Sequence, residues 1–142
     1  MNTPNPDNPH SSDPGKDALI HHIGMLVVTD RVVDAAPWDG YALIVRYDEA
    51  GADTRRISGF RYHDGGRFEA ATPENPSLGA ALDALRDAMR TDALPNAWEA
   101  CVVQIRRDTR RVHVEFEYDD PARWDITPAS LAAVAERARP AA

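Results

Sequence analysis

The last third of the chain has the clearest alternation of hydrophobic and polar residues. In the run 111–118, Val, Val, Phe and Tyr alternate with Arg, His, Glu and Glu. A period of two predicts a β-strand with one buried face and one face in water. The apolar run 98–106 precedes it across a short polar turn, so we expect the two strands to form an antiparallel hairpin.

A second pair of strands is predicted earlier in the chain. Residues 41–47 place two tyrosines, a leucine and a valine on one face, and a turn at 48–51 leads into the run 54–62. β-branched and aromatic residues are enriched in both runs, as is typical of strands. The stretch 67–76 reads as a loop with a short strand at its start.

Three segments have apolar residues spaced by three and four, which predicts helices. The first runs from Lys16 to about Ala35, and Pro37 follows its end. The second covers 77–90 and has the start signal Asn75-Pro76-Ser77. The third covers 129–139 and follows a capping threonine and a proline.

The predicted order is α-β-β-α-β-β-α, which favours the α+β class. We expect a two-layer sandwich in which helices cover one face of an antiparallel sheet of about four strands. A chain of 142 residues with 43% hydrophobic content suits one domain. Residues 1–15 contain four prolines among Asn, Asp and Ser, so we predict a disordered tail at 1–15 and a single domain at 16–142.

The charge balance limits the class of partner. The formal net charge is −7, from 23 acidic and 16 basic residues. This argues against a nucleic-acid-binding surface, which needs clustered Lys and Arg, and it suits a basic protein partner. The simpler alternative is that the acidity only keeps the protein soluble.

Cysteine usage and hydropathy give further expectations. Cys101 is the only cysteine, so no intrachain disulfide can form, and its place in an apolar strand predicts a buried, inert thiol. The sequence contains neither a membrane-spanning run nor a secretory signal, which makes the cytoplasm the default location.

The sequence gives little support for a catalytic or metal-binding site. His21 and His22 are adjacent, so on a helix they point about 100° apart and cannot readily hold one metal. His63 in a turn could be imagined in a triad with Ser58, but the sequence does not show the geometry that a triad needs. Glu115 and Glu117 lie about 7 Å apart by strand geometry, a glycosidase-like separation, yet their face is flat and wet. We therefore expect no catalytic, metal or cofactor site.

The arginine pairs and the tryptophans have structural explanations. Arg55-Arg56 and the turn 106–111 could touch RNA, but solvated turns or salt bridges with neighbouring carboxylates fit them better. The three tryptophans, Trp38, Trp98 and Trp124, lie at junctions between elements, where a large ring can close the end of a core.

Several of these motifs together resemble the YezG-like family of small bacterial immunity proteins. They are Pro37-Trp38 before the strand 41–47, the strand that Trp98 leads, and Val112-His-Val-Glu-Phe-Glu-Tyr-Asp-Asp120. The similarity spans roughly residues 17 to 125. The chain departs from the family pattern in its Pro-rich tail and in Arg107-Asp-Thr-Arg110, where a Gly-containing turn is expected.

The resemblance implies an antitoxin that neutralises a toxic domain made by the same cell, of the polymorphic or contact-dependent kind. Such toxins are commonly nucleases, whose basic clefts favour an acidic inhibitor. The expected contact residues are the acidic side chains Glu115, Glu117, Asp119 and Asp120, with Asp48 and Glu49 as secondary contacts. The alternatives are a small enzyme that uses His63, Asp64 or the strand carboxylates, and a regulatory interaction module.

Overall fold

The computed structural model describes residues 14–47, 55–63, 67–89 and 98–140. These residues form helices and a single antiparallel sheet, which confirms the α+β class. The helices are α1 Pro14–Val28, α2 Ser77–Ala88 and α3 Leu131–Ala138, with 3₁₀ turns at Val33–Ala35 and Pro121–Trp124. The strands are β1 Gly40–Tyr47, β2 Arg55–His63, β3 Arg67–Ala70, β4 Ala100–Arg106 and β5 Val112–Glu117.

The sheet has the order β3-β2-β1-β4-β5, so five strands replace the four that the sequence predicts. The additional strand, β3, is the short strand expected at the start of 67–76. β1 is central and pairs with β2 and β4 along its length. Both predicted hairpins form, and they leave β5 and the four-residue β3 as the edges of the sheet.

Helices cover both faces of the sheet, so the prediction that they lie on one face is wrong. Tyr41 and Leu43 of β1 pack against α1 and α2, whereas Ala42 and Ile44 pack in a second cluster with Trp124 and α3. The reason is that β1 and β4 are apolar at successive positions, which is the pattern of strands buried on both faces.

The first helix is shorter than its apolar spacing predicts. It ends at Val28, where the hydroxyl of Thr29 donates a hydrogen bond to the carbonyl of Met25 at 2.6 Å. The carboxylate of Asp30 then accepts the N–H groups of Val32 and Val33, at 2.8 and 3.4 Å. These bonds open a separate 3₁₀ turn instead of extending the helix to Ala35.

The predicted start of α2 at Ser77 is confirmed, whereas α3 begins at Leu131, two residues after its predicted start. Before α2, the side chain of Asn75 accepts the N–H of Ser77 at 2.8 Å. Before α3, Thr127 and Ser130 exchange bonds, because each side-chain oxygen accepts the other residue's N–H, at 3.1 and 2.8 Å. All three tryptophans are buried, as the sealing hypothesis predicts.

The tail prediction falls largely outside the structure. Residues 1–13 are not among the described residues, and α1 already begins at Pro14, two residues before the predicted start of the domain.

Candidate partner-binding surface

β5 presents a polar strip beside α3. Glu115 pairs in register with Val102 of β4, and Val102 is buried in the α3 cluster. Glu115 lies one strand further out, and its side chain is 58% exposed. The Nε2 atom of His113 is 3.5 Å from the Glu115 carboxylate, and both side chains are exposed to water. The predicted wet face of the hairpin is therefore confined to β5, because the matching residues of β4 are covered.

Glu117 has an internal role at the end of this strip. Its carboxylate accepts the N–H groups of Asp119 and Asp120, at 3.3 and 3.0 Å. It also lies 3.6 Å from the guanidinium of Arg123, and its side chain is only 18% exposed. Glu117 therefore holds the bend that follows β5, and less of it is available to a partner than the sequence suggests.

The bend exposes an aromatic ring beside two carboxylates. The alternation predicts Tyr118 on the buried face of the strand, and this is wrong: β5 ends at Glu117, and Tyr118 in the bend is 40% exposed. Both Asp119 and Asp120 are exposed. Tyrosine next to charge is a common composition at protein interfaces, since the ring supplies apolar area and the hydroxyl a hydrogen bond. We define the acidic strip as Glu115, Tyr118, Asp119 and Asp120.

Arginines border the acidic strip on the side of α3. The guanidinium groups of Arg123 and Arg137 lie 5.4 and 5.6 Å from the centre of the Trp124 ring. Arg137 also donates to the carbonyl of Arg123 at 2.6 Å. Because positive charge flanks the strip, a partner must match both signs and not only a negative field.

The secondary contacts, Asp48 and Glu49, lie outside the described residues. The strand before them ends at Tyr47, at the end of the sheet where Arg46 faces Ala100 and Ala100 faces Glu117. The C-terminal ends of β1 and β5 therefore lie at the same end of the sheet.

Two clefts lie at the opposite end of the sheet. Their volumes are about 730 and 810 Å³, and Asp39, His63 and Arg107 line both. The Nε2 atom of His63 is 3.5 Å from a carboxylate oxygen of Glu69. The guanidinium of Arg107 stacks at 4.0 Å on Trp38 and donates to its carbonyl at 3.0 Å. His63 is thus far along the sheet from Glu115, and the two do not share a site.

The turn arginines make the salt bridges that the sequence suggested. Arg106 pairs with Asp108 at 2.7 Å, and Arg107 lies 3.9 Å from Asp34. The hydrogen bond from Arg106 lowers the pKa of Asp108, and a bond from Arg139 does the same to the pKa of Glu136.

Two buried charged residues were not anticipated from the sequence. Arg61 is 8% exposed, lies 3.3 Å from Glu69, and donates to the carbonyls of Val32 and Val33 at 2.9 and 3.3 Å. Asp30 is 3% exposed. Nothing in the hydropathy pattern separates these residues from exposed ones, because both are buried through contacts that include backbone groups far away in the chain.

The thiol of Cys101 is buried, as expected, and burial raises its pKa. Among the described residues, no group of three or more His, Cys, Asp or Glu side chains could hold a metal ion. Within the same residues, no helix is long and apolar enough to cross a bilayer.

Comparison with protein-family models, with curated proteins and with solved structures gives no match to this chain.

Proposed function

We propose that this protein is an immunity protein that binds a cognate toxin domain and neutralises it without chemistry of its own. The acidic strip carries this proposal: α3 leaves the β5 face uncovered, and the strip ends in an exposed Tyr118 between carboxylates. The resemblance of the Trp-led strands to YezG-like immunity proteins supports the same function. The toxin domain would be a basic protein, with a nuclease as the first candidate.

The physical basis is electrostatic steering followed by short-range anchoring. A net charge of −7 raises the encounter rate with a basic surface, and the exposed carboxylates align the pair. Tyr118 then supplies apolar contact area at small cost in side-chain entropy. Bound in this way, the protein would cover the active site of the toxin or a surface next to it.

The decisive experiment is co-expression with the product of the upstream reading frame, followed by co-purification and a growth test. Protection of the cell together with a stable complex supports the proposal. If the two proteins neither co-purify nor protect, the immunity function is wrong for that pair.

Surface variants test the acidic strip itself. At low salt, the double variant Asp119→Lys, Asp120→Lys should lower the rate constant for association with the toxin roughly tenfold, since electrostatic steering is lost. The matched control is Asp34→Lys, Glu74→Lys, with the same charge change at the far end of the sheet, on side chains 65% and 53% exposed. Equal effects of the two variants would attribute binding to net charge and remove the strip as the contact.

One observation favours a second candidate, a small acid–base enzyme: the His63–Glu69 pair borders a cleft. An acid–base residue must lie where a substrate can reach it. Turnover of a small compound that is lost in His63→Gln and retained in His113→Gln would support this candidate over the first.

A further inference from the structure

The outer edge of β5 carries unpaired backbone groups. β5 has β4 as its neighbour on one side, and among the described residues none pairs with the other side. The N–H of Arg106 donates to the carbonyl of Arg111 at 3.2 Å, which fixes the phase of the β4–β5 ladder. Odd-numbered residues therefore turn their backbone groups toward β4, and Val112, Val114 and Phe116 turn theirs outward.

Such an edge can accept another strand unless the chain prevents it. The other edge, β3, is limited by its length of four residues, whereas β5 has six regular residues. Charged side chains often protect an edge, and β5 carries them on its open face. Their order along the strand decides whether they repel a second copy or attract it.

The polar side chains on the open face of β5, basic types on one side and acidic types on the other, are self-complementary about Val114. Reading along the strand, they are Arg111 and His113 before Val114, and Glu115 and Glu117 after it. If two copies pair antiparallel with Val114 opposite Val114, His113 faces Glu115 and Arg111 faces Glu117, twice each. Glu117 is already held by Arg123 and by the bend that follows β5, so the two pairs between positions 113 and 115 carry most of the complementarity. Opposite charges in directly facing positions stabilise a strand pair.

The other nearby registers lack this complementarity. If the two-fold axis passes through residue 113, His113 faces His113 of the second copy, and if it passes through residue 115, Glu115 faces Glu115. A centre at 112 or 116 places Arg111 against His113 or Glu115 against Glu117. Like the registers centred at 112 and 116, the Val114 register places an outward-facing residue on the two-fold axis, where it exchanges both backbone hydrogen bonds with its copy. Of these three registers, only the one centred at Val114 avoids like-charged facing pairs.

From these observations we infer that β5 pairs with β5 of a second copy about Val114, and that the two sheets join into one. On the α1 face the pairing brings Val112 of one copy beside Phe116 of the other, and both are only half-buried in the monomer. α1 borders this edge, because a Cβ on Gly24 would lie 3.2 Å from Val112, and the next residue, Met25, is 47% exposed. The interface is small, so the dimer is weak and depends on concentration.

This dimer is separate from toxin binding. Strand addition uses the backbone at the side of β5, whereas a toxin would approach the face of the strand. Glu115 contributes to both contacts, but Asp119 and Asp120 belong only to the proposed toxin contact. The double variant Asp119→Lys, Asp120→Lys should therefore leave dimerisation unchanged.

Sedimentation equilibrium of the full chain tests the inference. The wild type should pass from monomer to dimer between roughly micromolar and millimolar concentration. His113→Glu places like charges opposite Glu115 of the second copy at two sites, and should raise the dimer dissociation constant roughly tenfold. Glu115→Lys should weaken the dimer in the same direction, because it removes the acceptor that faces His113 of the second copy.

An equimolar mixture of the two variants tests the Val114 register itself. In the mixed pair, Glu at position 113 faces Lys at position 115, so the heterodimer should regain the wild-type dissociation constant. Both side chains are exposed, 64% and 58%, so neither change removes a core contact, and circular dichroism checks the fold. A wild-type chain that stays monomeric throughout, or a dimer that neither variant weakens, would overturn the inference.

Discussion

The hydroxyl of Tyr41 donates a 2.6 Å hydrogen bond to the carbonyl of Ala71, and this bond passes directly over Gly59. A Cβ added at Gly59 would lie 1.8 Å from the Tyr41 oxygen and 2.7 Å from the Ala71 oxygen. Glycine at this position lets a buried tyrosine reach across β2 to the chain that follows β3. The bond ties the central strand of the sheet to the segment before α2.

Gly59→Ala should therefore be strongly destabilising. The methyl group has no room, so the Tyr41–Ala71 bond must break or the strands must shift, at a cost of about 3 kcal/mol in the free energy of unfolding. Urea unfolding measures the loss. In a Tyr41→Phe background the same substitution should cost less, because the closest atom is gone. A full additive loss in the double variant would show that the tyrosine hydroxyl is not the obstacle.

Asp30 should be the acidic residue whose loss costs most stability. Beyond Val32 and Val33, its second carboxylate oxygen accepts the N–H groups of Glu74 and Asn75, at 2.9 and 2.8 Å. Asp30→Ala leaves these donors, one buried and three part-buried, without their acceptor and should lower the free energy of unfolding by about 3 kcal/mol.

Asp30→Asn keeps one acceptor oxygen and should cost less than Asp30→Ala. The control is Asp34→Asn, whose exposed pair with Arg107 should contribute less than about 1 kcal/mol. Chemical denaturation ranks the three variants, and equal stability of the Asp30 and Asp34 variants would contradict the prediction.

Alkaline unfolding should begin as soon as free tyrosine would ionise. Burial raises the pKa of Tyr41, Tyr47 and Tyr62 above the ordinary value, and in Tyr47 the hydrogen bond to Asp83 adds to this effect. The folded state therefore keeps protons that the unfolded state loses, so the stabilisation is complete below pH of about 10 and falls above it. Each group should lower the free energy of unfolding by about 1.4 kcal/mol per pH unit there.

Tyrosinate absorbance and circular dichroism, followed together against pH, test this coupling. The absorbance of the three buried tyrosines should rise only with the loss of secondary structure. Tyr118 is exposed, so Tyr118→Phe should leave the alkaline unfolding transition unchanged. Ionisation of all four tyrosines in a chain that stays folded would refute the prediction.

The β4–β5 turn should become more stable with a glycine. Arg110 has a φ of 58°, the left-handed region in which a side chain is strained and glycine is not. Arg110→Gly should raise the free energy of unfolding by about 0.5 to 1 kcal/mol. Arg111→Gly is the control, because Arg111 does not have a positive φ and should lose stability instead. Thermal unfolding compares the two variants, at a protein concentration low enough for the chain to be monomeric.

The helix spacing and strand alternation predicted most elements, because these patterns depend on which face of each segment is buried. The leucine spacing in α2 and the alternation in β5 are examples, and the structure confirms both. The helix to Ala35 failed at Asp30. One carboxylate oxygen accepts the nearby N–H groups of Val32 and Val33, and the other accepts those at 74–75, which no local pattern reveals because they lie so far along the chain.

The acidic residues at the end of β5 were identified from the sequence, but their separate roles were not. Glu117 and Asp119 are both acidic residues at the end of the same strand, and the sequence does not distinguish them. In the structure Glu117 holds the bend, whereas Asp119 is exposed. The difference arises from Arg123, which the 3₁₀ turn brings back toward the strand.

The sequence alone determined the α+β class, the two hairpins, the burial of Cys101 and the three tryptophans, since each follows from local periodicity or from apolar character. Only the tertiary structure decided that α3 packs on the opposite face from α1 and α2, that none of the residues it describes covers the outer edge or polar face of β5, and that Asp30 and Arg61 are buried. Those features depend on contacts between segments far apart in the chain, whose free energies are not encoded in any single segment.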